Sequence, residues 1–234
     1  IDASALGGEL TVSAASVGTT ATITTGTGGV TSITTANGKT TATNITLGSE
    51  NGVNDHTIMN GTVSGLISLT NFNAGATNGD SIDISVVGIE GRNDLSGAED
   101  LVFAGNASTS AAATNNVVIV EATGPLDLGT AATATHVRLD GDFATTGLVE
   151  TAIEASGSRA LTFNGAFTAT TDIMLLIYDD GTNSYLATVT SSANVANDAS
   201  LASGNATVTN IVTFVGVADC TDLTAANLGT ALIA

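Results

Sequence analysis

The chain has 234 residues, with four basic against 22 acidic side chains, a formal net charge of −18, no Trp and one Cys. A surface this acidic, with no cluster of Lys or Arg to meet phosphate, excludes nucleic acid as a partner, and a bare anionic membrane would repel it. Divalent cations are its natural counter-charge, and the acidity also keeps a Thr/Ala-rich chain soluble.

Hydrophobic residues make up 43% of the chain but aromatics only 3%. The core is therefore expected from Val, Ile, Leu and Ala, which suits a thin all-β architecture more than a cavity-bearing enzyme. The length allows one large all-β domain or two ordinary ones. Cys220 has no partner for an intramolecular disulfide and reads as a small apolar filler. No run of 18 apolar residues occurs, so no membrane insertion is expected. No signal peptide is visible at Ile1. The opening IDASALGGEL reads like the interior of a β-rich protein, so the chain is expected to be a processed product or a segment of something longer.

In chain order, residues 8–13 (GELTVS) form a short alternating strand. A loose repeat follows. TATITTG at 20–26 is echoed by TATNITLG at 41–48, then by LISLT at 66–70, and Ile23, Ile45 and Ile67 stand 22 residues apart. Secondary strands lie between them at 30–33 and 57–59. Two short strands per period is the pattern of a β-solenoid coil, which buries its inward residues only by stacking on its neighbours. Thr suits such a surface because its branched Cβ favours the pleat and its hydroxyl aligns in ladders. Residues 1–105 are therefore expected to form a β-solenoid, β-roll-like or sandwich domain.

The stretch 66–84, LISLTNFNAGATNGDSIDI, is two strands around a turn of small residues. Its segment 75–82 resembles one unit of the calcium-binding β-roll repeat of RTX proteins, G-G-x-G-x-D-x-U-x. Gly75 matches the first Gly, Asp80 the Asp and Ile82 the apolar position. Ala76 replaces the second Gly and Asn78 the third. Residues 51–58 (NGVNDHTI) are a poorer relative, and His56 within them is left unassigned. On this stretch Asp80 and Asp83 offer hard oxygen ligands for calcium.

Residues 90–100 are the most charged segment and read as a hinge or functional loop. NASTSAAATNN at 106–116 reads as a linker. From Val117 the pattern changes to continuous apolar runs, the mark of buried strands. Strands are expected at 117–120, 135–139, 160–163, 173–178, 185–189 and 211–215. One helix is expected at 146–155, with Leu148, Val149 and Ile153 on one face. Residues 173–189 are a hairpin around Asp-Asp-Gly-Thr-Asn, where Asp179, Asp180 and Asn183 are further candidate calcium ligands. Residues 117–234 are expected to be a β-sandwich-like C-terminal domain. The hairpin, with 212–217 and 223–228, resembles the C-terminal region of bacterial β-strand-repeat surface proteins, including S-layer-type and type I-secreted ones. That resemblance implies export and surface deposition.

No catalytic constellation stands out. His56 and His136 are far apart, and no G-x-S-x-G elbow, H-E-x-x-H helix or P-loop occurs. Asp140-Gly141-Asp142 and Asp179-Asp180 are close carboxylate pairs in short Gly turns, read as turn or calcium contacts and not as an acid–base couple. The chain is thus expected not to be an enzyme but an extracellular, self-assembling structural protein of a surface layer or filament. Its expected partners are copies of itself, divalent cations and cell-surface polysaccharide. The alternative is an adhesin or carbohydrate-binding module on a β scaffold.

Overall fold

A computed structural model describes residues 1–13, 21–27, 31–34, 42–49, 55–59, 66–75, 79–85, 100–103, 106–110, 117–131, 134–169, 172–228 and 232–233. It is strand-rich, with seventeen strands and one α-helix among these residues. The first seven strands are short and rich in Thr and Ile: β1 Leu10–Ser13, β2 Ala21–Thr24, β3 Thr31–Thr34, β4 Thr43–Thr46, β5 His56–Met59, β6 Ile67–Thr70 and β7 Ser81–Ser85. Consecutive strands alternate between two sheets. β1, β3, β5 and β7 lie side by side in one, and β2, β4 and β6 in the other, every pair parallel. Parallel neighbours suit strands whose inward positions are aliphatic, and Ile23, Ile33, Ile45, Ile67, Leu69 and Ile82 are all fully buried.

The register refines the repeat. Ile23 pairs with Ile45, but Ile45 pairs with Leu69, and it is Thr43 that faces Ile67. The 22-residue spacing therefore slips by two at that step. Residues 1–3 continue the pattern at the other end, where Asp2 bridges Thr24 in parallel and Thr24 N–H donates to the Ile1 carbonyl at 2.9 Å.

The remaining strands are β8 Asp100–Phe103, β9 Asn106–Ser110, β10 Ile119–Ala122, β11 Leu126–Asp127, β12 His136–Asp142, β13 Leu161–Thr162, β14 Asp172–Asp179, β15 Ser184–Ser191, β16 Ala206–Val215 and β17 Leu232–Ile233. β10, β12, β14, β15 and β16 extend the even-numbered sheet, giving the order β10-β12-β14-β15-β16-β6-β4-β2, not closed among the described residues. β16 pairs directly with β6, Val212 against Ile67 and Phe214 against Leu69. The parts expected as 1–105 and 117–234 thus share a sheet. Of the expected linker, residues 106–110 are strand β9 paired with β8, which itself pairs with β14. The rest of that linker, 111–116, and the charged segment up to residue 99 lie outside the described residues.

The expected hairpin is present, β14 and β15 pairing antiparallel from Met174–Val189 to Asp179–Ser184. β14 is buried at every position, as its unbroken apolar run requires. Ile173, Leu175 and Ile177 join one apolar cluster with the inward residues of the N-terminal strands. Met174, Leu176 and Tyr178 face a second cluster, with Phe163, Phe167 and the helix. That helix, α1, spans Thr146–Ile153, two residues shorter than expected, and Thr145 caps it by accepting the Leu148 N–H. Its buried face is Val149, Ala152 and Ile153, while Leu148 is 53% exposed, against the expectation that it shared their face. Among the described residues no helix is long and apolar enough to cross a membrane.

Candidate functional site

Candidate ligands fall in two places. The first is the corner before β7. Thr31, Asp55 and Asp80 stack at equivalent positions of successive odd-numbered strands. Asp55 Oδ1 accepts the Thr31 N–H at 2.7 Å, and Asp80 Oδ1 accepts the Asp55 N–H at 2.9 Å. Asp80 Oδ2 accepts the Asn73 N–H at 2.7 Å. Both carboxylates are 3% exposed. A tight corner strands backbone donors that no neighbouring strand can reach, and each Asp supplies the acceptor. Both Asp80 oxygens are thus engaged by backbone N–H groups. Gly75, with φ of 121°, bends the chain where only glycine is comfortable. Asp83 is buried on β7.

Asn227 completes this stack from 147 residues away. It is fully buried, and Nδ2 donates to the Asp80 carbonyl at 2.8 Å and to the Gly75 carbonyl at 3.1 Å. Its Oδ1 accepts N–H groups from Gly75 and Thr224. A Cβ at Gly79 would come within 2.7 Å of that amide and 2.2 Å of the Gly75 carbonyl, so the close approach requires glycine.

The second place is the turn between β14 and β15. Asp180 Oδ1 accepts the N–H groups of Thr182 and Asn183, and Oδ2 accepts the Tyr185 hydroxyl at 2.6 Å. Burial alone would push this carboxyl up, but these hydrogen bonds outweigh it and hold it below the ordinary value. Burial, then the bond to Asp180, pushes the Tyr185 phenol up to about 12. Asn183 Oδ1 accepts the Gly216 N–H. Asp180 and Asn183 therefore shape the hairpin and its contact with the end of β16.

Asp179 belongs to a different group. It is buried at the end of β14, where Oδ1 accepts the Gly181 N–H and Oδ2 the Cys220 N–H at 3.0 Å. Its carboxylate, that of Asp219 and the Cys220 sulfur lie within 4.8 Å of one another. Asp142, its register partner across β12, adds a third carboxyl. A hydrogen bond with Asp179, then repulsion from it, raises the Asp142 pKa. Hydrogen bonds from Thr221 hold Asp219 low. The Cys220 thiol is pushed up, first by burial and then by Asp179, and donates to the Leu139 carbonyl. A neutral thiol is a poor metal ligand, so the donors available here are carboxylate oxygens, the chemistry of a hard divalent cation.

Of the five residues predicted from sequence, only Asp179 joins this cluster. Asp80 and Asp83 sit on the other sheet. Beside Asp179 lies Asp142, from the Asp-Gly-Asp pair read as a turn or calcium contact, and Asp219 joins Asp179 without having been expected as a ligand. The Asp-Gly-Asp pair at 140–142 signalled the first, whereas nothing local marks Asp219. No protein-family model matches the chain, and no match appears among curated proteins or solved structures.

Proposed function

We propose that the chain is a secreted structural protein that associates with copies of itself on the cell surface, as a layer or filament. In this reading its N-terminal strands form a two-sheet β-solenoid of the RTX-like kind. The observation that carries the proposal is the pair of open strand edges. Among the described residues β10 pairs only with β12, and β1 only with β3. An unpaired edge is a template for another chain, and neither strand contains the Lys or Pro that commonly blunts one. Acidic repulsion opposes contact between copies, so divalent cations such as calcium promote it, the carboxylates of Asp142, Asp179 and Asp219 being the described group best placed to hold one. Electron microscopy of the purified chain tests this. Ordered sheets or fibres in calcium that disperse on chelation support it, and dispersed particles in both conditions refute it.

One observation favours the alternative of a carbohydrate-binding module. An open cleft of about 460 Å³ beside α1 is lined by Asp142, Phe143, Leu148, Thr151 and the turn at 156–158. It pairs an apolar floor with hydroxyls and a carboxyl. Calorimetry with cell-surface polysaccharide decides it: saturable heat that Phe143→Ala abolishes supports this reading, and no heat removes it.

A further inference from the structure

His136 opens β12 between the edge strand β10 and β14, with Ile119 and Leu175 as its register partners. Its ring shares their face of the sheet and is fully buried. Nδ1 lies 2.8 Å from Thr135 Oγ1, and Nε2 has no partner among the described residues. The same Thr135 hydroxyl accepts the Val118 N–H at 2.9 Å and lies 3.0 Å from the Val118 carbonyl. That carbonyl also accepts the N–H groups of Thr135 and His136. Ring, hydroxyl and the start of the edge strand form one hydrogen-bonded group.

The charged and titratable groups around it are few. Arg138, two residues along β12, pairs with Glu121 of β10 and donates to the Thr221 and Leu223 carbonyls. Asp179 lies at the far end of β14, and Asp219, Cys220 and Asp222 lie in the turn that follows β16. Among the described residues none of these bonds to the imidazole, so no anion compensates a buried imidazolium, and desolvation holds the ring neutral.

We propose that His136 is an acid-sensitive latch on the edge strand: its ring takes up a proton only when β10 parts from β12, so acid frees both strand edges. The latch rests on the burial of the ring and on the Thr135 hydroxyl that links it to Val118 at the start of the edge strand, and stands or falls independently of self-association. If opening is coupled to uptake of one proton, it becomes about tenfold more favourable for each pH unit below about 6.5.

Hydrogen exchange of the full chain between pH 7.5 and 4.5, corrected for the intrinsic rate, tests this in the wild type and in His136→Leu. Protection of peptides covering 117–122 is expected to fall about tenfold per pH unit below about 6.5 in the wild type and to stay flat in the variant, while 206–215 remains the better protected segment throughout. NMR titration of the wild-type imidazole is the second measurement, decisive should His136→Leu not fold. A ring still neutral at pH 5 wherever β10 is protected supports the latch. No slope in the wild type, an equal slope in His136→Leu, or an imidazole that titrates near pH 6.5 in the closed fold overturns it.

Discussion

At residue scale the Asp80 carboxylate holds the corner before β7 by gathering backbone N–H donors from two turns of chain. Asp80→Ala leaves the N–H groups of Asp55 and Asn73 without their acceptor. It is expected to cost about 3 kcal/mol in urea unfolding, because stranded buried donors forfeit their full desolvation energy. Asp80→Asn keeps one acceptor oxygen and is expected to cost about half as much. Equal stability of wild type and Asp80→Ala would show that the corner does not depend on the carboxylate. His136 makes the fold acid-sensitive in a definite window. Burial depresses its pKa from 6.5 to about 3 in the folded chain, so the unfolded chain binds the extra proton between those values. Stability from this group is complete above pH 6.5 and is lost as pH falls towards 3, by an amount approaching about 5 kcal/mol. Urea midpoints at pH 7 and pH 4 read this out, and His136→Leu should lose less than the wild type over the same range.

At the scale of elements, α1 is more than a cover for the second apolar cluster. β6 pairs with β16 only over 212–215. Earlier in β16 the N–H groups of Ala206 and Val208 are taken instead by Glu154 and Glu150, at 2.8 and 2.9 Å. Two carboxylates one helical turn apart thus satisfy two alternate positions of a strand. Glu154→Ala is expected to destabilise by about 2 kcal/mol, with Glu154→Gln closer to wild type because its amide oxygen still accepts; thermal unfolding of both variants checks this. Leu175→Ala on β14 should cost about 2 to 5 kcal/mol, and Leu148→Ala on the exposed side of α1 almost nothing. Most strands were legible in the sequence, because alternation carries a period of two where one face is buried and an unbroken apolar run marks a strand such as β14 that is buried on both. The outward face of Leu148 was not. Leu148 and Val149 are adjacent and both apolar, and only the position of the sheet decides which of them is covered.

For the whole molecule, the pattern of the first seven strands was legible and the union of the two parts was not. Nothing in LISLT announces that its partner is the segment around Val212, since alternation fixes a face and leaves the neighbour open. The acidic cluster was half legible for the same reason: Asp142 and Asp179 lie in visible Gly turns, but Asp219 arrives only when the chain after β16 folds back. Among the described residues the outer edges of β1 and β10 are unpaired, in a chain with one Lys and one Pro in 234 residues, and these edges are where association between copies is expected. Light scattering after size exclusion, over a hundredfold range of concentration with and without calcium, measures it most directly. A mass that grows with concentration, grows further with calcium and falls back in the edge variant Thr11→Lys is the predicted result. A chain that stays monomeric at the highest concentration with calcium present contradicts the account.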